Sequence, residues 1–199
     1  MELFILALAI GALWFLNIRE QHQRIRLLAN ILGQFQVEKL METVADGYLR
    51  ALGEDDADRR GQVWNMLGQA ELTLCAQVQA FVKAFDQVDA EAARFSTLPL
   101  ALPFAKQLFS SSSADLRALL HIHADGIAAV VANSAGLSQK DRAFMLTAEL
   151  LLLQHSCQWF CRSKATASAR MMVRHRTPHA QLLASVSAQT RKAYSRLMD

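Results

Sequence analysis

The sequence predicts an all-α protein: a single N-terminal transmembrane helix followed by a cytoplasmic bundle of about five or six helices. Three observations carry this prediction. Only three prolines and eight glycines punctuate 199 residues, so long uninterrupted elements are expected. Ala, Leu, Gln and Arg dominate the composition, and all four are strong helix formers. Apolar residues recur at steps of three and four along most of the chain, the spacing of one helix face.

The first element is the apolar run Leu3 to Ile18, sixteen residues without a charge, followed by Arg19, Glu20, Arg24 and Arg26. A cleaved export signal needs a basic start and a small-residue cleavage site. Here Met1-Glu2 precedes the run and Leu16-Asn17-Ile18-Arg19 closes it. Sixteen residues rise about 24 Å, short of the ~30 Å hydrocarbon core, so a buried core helix is the competing reading. Against it, the run is apolar on every side, whereas a terminal helix of a modest domain shows a polar stripe. Trp14 stands near one end as an interfacial aromatic and Arg19 can snorkel to headgroups. Local bilayer thinning absorbs the shortfall in length. Residues 1–18 are therefore expected to form a single-pass anchor. Positive charge follows the run and none precedes it, which places the N-terminus outside and the body in the cytoplasm. Ala7 and Gly11 form one small-xxx-small pair that would let two anchors approach, so a homo-oligomer is allowed.

Residues 19–98 read as two long amphipathic helices. In the first, Ile25, Leu28, Leu32, Phe35, Leu40, Val44 and Tyr48 continue the anchor to about Leu52, where Gly53-Glu54-Asp55-Asp56 breaks it. In the second, Trp64, Leu67, Leu74, Val78, Phe81 and Phe85 form a seam that only Glu71 interrupts. These six are the candidate helix-packing interface, within the chain's own bundle or against a coiled-coil partner. Glu71 is expected at the seam's edge or against a cation.

Residues 99–199 form a C-terminal helical region, expected to pack with 19–98 as one body. Pro99 and Pro103 end the preceding helix and make an extended connection. A short helix is expected around Phe104 to Phe109, and Ser113 reads as the N-cap of the next helix, where apolar spacing resumes at Leu116. Asn133 to Gly136 stops that helix. Ser138 and Asp141 begin another as a partial capping box. Leu150 to Leu153 makes it the most buried element of the body. Thr177-Pro178 opens a terminal helix running to about Leu197.

Charge is unevenly distributed. Residues 1–149 hold 13 Lys/Arg against 17 Asp/Glu, a balance of −4, and residues 150–199 hold eight against Asp199 alone, a balance of +7. A basic tail on an acidic body suggests an anionic partner. Three cysteines cannot all pair, and their small number argues against a disulfide scaffold and fits a reducing compartment.

Candidate chemistry is sparse. Cys157, Cys161, His175 and His179 stand at nearly zinc-finger intervals. Helical sequence before Cys157, no aromatic between Lys164 and Met172, and Pro178 inside the would-be ligand helix all oppose a finger. His121 and His123 fall on different helix faces. No Glu-x-x-His pair or haem-attachment motif occurs, although a lone axial histidine leaves a cryptic metal or haem protein as a third reading. Neither a nucleophile elbow nor a phosphate-binding glycine loop is found, so no enzyme and no cofactor are expected. The most functional-looking stretch is basic: Arg162, Lys164, Arg170, Arg174, Arg176, Arg191 and Lys192 are candidates for anionic lipid, and with less support for nucleic acid, since interleaved aromatics are missing. The pattern as a whole points to a non-enzymatic, membrane-anchored accessory or scaffold protein that binds another membrane or cytoplasmic protein through helical surfaces. The alternative is a lipid or nucleic-acid binder acting through residues 162–196.

Overall fold

Helix α1 begins at Glu2 and runs without interruption to Leu32. The computed structural model describes residues 1–198, with the side chains of Lys106 and Ser110 left aside; Asp199, counted above in the tail, lies outside the described residues. Leu3 to Phe15 stand clear of the body and are exposed, and within α1 only Leu28 is buried. This is the one described helix long and apolar enough to cross a membrane. The chain is otherwise helical, apart from two three-residue strands.

The expected continuation of α1 to Leu52 is replaced by a turn. The chain leaves α1 at Gly33, the Gln34 and Phe35 amides bond back three residues, and the Gln36 amide donates to Gln77 Oε1 at 3.0 Å. Phe35 then packs edge-on against Phe81, with ring centroids 6.2 Å apart. The apolar spacing continues through the turn because both helices face the same core, so periodicity alone does not reveal the break. Helix α2, Val37–Gly53, returns along α3, Ala57–Phe85. Their approach is close at Gly47, where a Cβ would overlap Leu67. Asp56 caps α3 by accepting from the Asp58 and Arg59 amides.

Helix α3 stops at Phe85, earlier than the prolines suggested. Asp89 caps a single turn, α4 (Ala90–Ala93), and β1 (Arg94–Ser96) follows. The prolines lie in the next loop, which holds α5 (Ala105–Leu108) and a 3-10 turn at Ser110–Ser112. Strand β2, Ser113–Asp115, pairs antiparallel with β1, setting Arg94 against Asp115 and Phe95 against Ala114. Ser113 is consequently a strand residue, and Asp115 caps α6 (Leu116–Ala132) by accepting from the Arg117 amide. Asn133 ends α6 in the left-handed conformation, φ 49°.

Ser138 caps α7 (Gln139–Cys161): its hydroxyl accepts from the Asp141 amide and donates to the Asp141 carboxylate. Leu150, Leu152 and Leu153 on α7 are all buried. Ser163 caps α8, Lys164–His175. The expected single terminal helix is two, α9 (His179–Ser185) and α10 (Ala188–Met198). The break is built by hydrogen bonds: the Ser187 hydroxyl accepts from the Thr190 amide, while the Ser187 amide donates to the buried Glu149. The core lies among α3, α6 and α7. Phe85, Phe95, Trp159 and Phe160 meet there edge to face, with centroids 5.8 to 6.2 Å apart.

Candidate functional site

A groove of about 930 Å³ opens between α1, α2, α7 and α8. Its apolar lining comes from Ile25, Leu28 and Leu32 on α1, Met41 and Val44 on α2, and Leu150, Leu151 and Leu153 on α7. The turn at Gly33 makes this site. It folds α2 back beside α1 while the Gly47 contact holds α2 against α3, leaving its other side to face α7 and α8.

The two rims carry opposite charge. Glu38, Glu42 and Asp46 recur at i, i+4 and i+8 along α2, all exposed, and outweigh Lys39 in the same lining. Facing them are Arg162, Arg170 and Arg174, the last two at i and i+4 on α8. Among the described residues no ion pair joins these rims. Gln158 and His175 belong to the lining, and each keeps one polar atom, Oε1 and Nε2, buried without a hydrogen-bond partner. Cys157 and Cys161 line the same wall. Burial pushes both thiols up, Cys161 to about 11 against the pull of Arg24 and Arg162, so neither is a thiolate near neutrality.

The groove gathers Cys157, Cys161 and His175 of the zinc-like quartet. His179 does not join them. It stacks on His155 with ring centroids 4.4 Å apart and meets Tyr194 Oη at 3.2 Å. Among the described residues no three His, Cys, Asp or Glu side chains are grouped to hold a metal. The basic stretch is likewise divided. Arg162 donates to Gln21 on α1 at 2.7 Å, Lys164 lies over the Trp159 ring, and Arg170 and Arg174 rim the groove. Arg176 ends α8 in the left-handed conformation, and Arg191 and Lys192 are exposed on α10. Trp64, Leu67, Leu74, Val78, Phe81 and Phe85 are all buried inside the body, with Phe81 reaching the floor of the groove. Glu71 meets a cation: Arg142 lies 3.1 Å away and Tyr48 Oη donates to it at 2.6 Å.

Beside α6, α7 and α10 lies a polar interior that the sequence reading did not find. His123 bonds Ser156 at 2.9 Å, and His155 bonds Ser168 at 3.1 Å. Burial drives both imidazoles down to about 3, helped at His155 by the charges of His179 and Lys164. Glu149 accepts from the Ser187 amide at 3.0 Å, and burial raises its carboxyl. A signal was present: His123 sits between Leu120 and Ile127 on the apolar face of α6, and Glu149 and Ser156 flank Leu152 and Leu153 on that of α7. Polar residues in register with a core stripe are buried with it.

No family model, curated protein or solved structure matches the chain.

Proposed function

We propose that this chain is a membrane-anchored docking protein. Its α1 segment, residues 3–18, crosses the bilayer, and its helical body lies in the cytoplasm on the side of Arg19, Arg24 and Arg26. The groove binds an amphipathic helix of another membrane or cytoplasmic protein. The observation that carries this reading is the groove itself, with an apolar floor between a mainly acidic rim on α2 and a basic rim on α8. Such a surface fits a helix laid into it by its apolar face. Opposite rims select the helix orientation, with basic residues toward Glu38 and Glu42 and acidic residues toward Arg170 and Arg174. Binding of acidic lipid through the basic residues is the second reading, favoured by the place of Arg162 and Lys164 at the turn beside α1.

The test places a photo-crosslinking residue at Met41 or Gln154, both in the groove lining, in the full-length chain in its native membranes. The control position is Met66, 75% exposed on α3 and outside the groove. Discrete adducts are expected from the groove positions and none from Met66. The double change Glu38→Lys, Glu42→Lys should remove them. Equal adducts from all three positions, or adducts that survive charge reversal, would refute the docking role.

A further inference from the structure

Leu100, Leu102, Phe104, Leu108 and Phe109 fall within ten positions of one loop, and all five are exposed, Leu108 by 70% and Leu100 by 66%. Elsewhere on the body, exposed large apolar residues come singly or in pairs. Between Leu98 and Phe109 the only charged residue is Lys106, and there is no carboxylate. Loop residues are ordinarily polar and turn-forming, so an apolar loop in this position calls for something to cover it.

The loop is fastened to α1. Asn17 Nδ2 donates to the Ala101 carbonyl at 3.3 Å, and the Phe104 amide donates to a Glu20 carboxylate oxygen at 3.4 Å. Asn17 and Glu20 bracket Ile18, the last residue of the uncharged run. The loop is therefore tied to α1 within about one helical turn, 5.4 Å, of the point where a bilayer-spanning segment leaves the hydrocarbon. Its stem is fixed from the other side. Trp159 Nε1 donates to the Ser96 carbonyl at 3.1 Å, the Thr97 amide to Ser112 at 2.9 Å, and the Ala165 amide to Pro99 at 3.0 Å. Pro99 and Pro103 stiffen the span between these ties. The loop is thus held beside the end of the uncharged run of α1 by contacts within the chain itself.

We infer that residues 98–109 form a second membrane contact, an interfacial loop whose apolar side chains enter the headgroup and upper acyl region of the leaflet from which α1 emerges. This rests on the reading of α1 as the anchor. Two contacts do what one helix cannot: they fix the rotation of the body about the α1 axis. The groove, lined by α1 from Ile25 to Leu32, then faces along the membrane at a set height of about 10 to 20 Å above Ile18.

The experiment uses the full-length chain reconstituted in phosphatidylcholine vesicles, with p-benzoyl-phenylalanine placed in turn at Phe15, Phe104, Phe109 and Phe144. Phe15 lies in the anchor. Phe144 is 56% exposed and lies about 24 Å along α7 from Phe160, the residue stacked by Arg24 of α1. After irradiation, lipid adducts are read as mass shifts. The inference expects adducts at Phe15, Phe104 and Phe109, and at least a tenfold lower yield at Phe144. Adducts at Phe15 alone would overturn the loop contact while leaving the anchor standing. No adduct at Phe15 would overturn the anchor, and this inference with it. Protein–protein adducts from Phe104 and Phe109, or lipid yield at Phe144 matching theirs, would likewise overturn it.

Discussion

Lowering the pH from 7 to 5 should strip a large part of the body's stability through two histidines. His123 and His155 are both held near 3 by burial, against an unfolded value of 6.5. The sign follows from proton uptake. Below pH 6.5 the unfolded chain binds protons that the folded chain refuses, so the stabilisation is complete above that value and is lost as pH falls toward 3. Each histidine then contributes a loss of about 2 kcal/mol between pH 7 and 5, following a limiting slope of about 1.4 kcal/mol per pH unit. Together they remove about 4 kcal/mol from a total of the order of 5–15 kcal/mol typical of a domain. His179, also lowered by burial and by Lys164, acts in the same direction. Glu149 acts in the opposite one: its raised carboxyl lets the folded state take up a proton first, so stability is gained as pH falls through that value. The assay is urea unfolding of the full chain in neutral detergent at several pH values, followed by circular dichroism. The slope matters rather than the midpoint, because His123→Gln costs packing at every pH. The parent should lose stability steeply below pH 6.5, His123→Gln should lose about half of that dependence, and Glu149→Gln should steepen it. A parent whose stability is flat from pH 7 to 5, or a slope that His123→Gln leaves unchanged, would show that the fold does not hold these histidines uncharged.

Other perturbations probe the packing that shapes the groove. Arg142→Ala should cost about 3 kcal/mol, because it leaves the Glu71 carboxylate buried with Tyr48 as its partner; adding Glu71→Leu should recover much of that loss in urea unfolding. Gly126→Ala should destabilise by about 1–3 kcal/mol, since the new Cβ would overlap Thr190 and stand 2.7 Å from Glu149 Oε2. Gly47→Ala should behave alike through Leu67. Gly68→Ala, which meets open space within α3, should instead raise stability by up to about 1 kcal/mol in the same assay.

The helical class and several of the breaks were legible because they are written locally. The acidic Glu54-to-Asp56 break, Ser138 with Asp141, and Asn133 each mark a helix end through chemistry within a few residues. The turn at Gly33 was not legible, since its bonds run to Gln77 and its packing to Phe81, more than forty residues away. Ser187 hid the split of the last helix for the same reason, as half of what stops the chain there is Glu149. The β1–β2 pair was too short to leave a period-two pattern. At the groove, the individual charges of α2 and α8 were visible as helix faces, yet their opposition depends on α2 folding back, which no local signal announced.

Alkaline carbonate washing of membranes that carry the full-length chain tests whether α1 fixes this body to a membrane. The protein should stay in the membrane pellet after the wash, and deletion of residues 2–18 should move it to the supernatant. Release of the full-length chain into the supernatant without detergent would show that α1 is no anchor and return Leu3 to Ile18 to a protein interface.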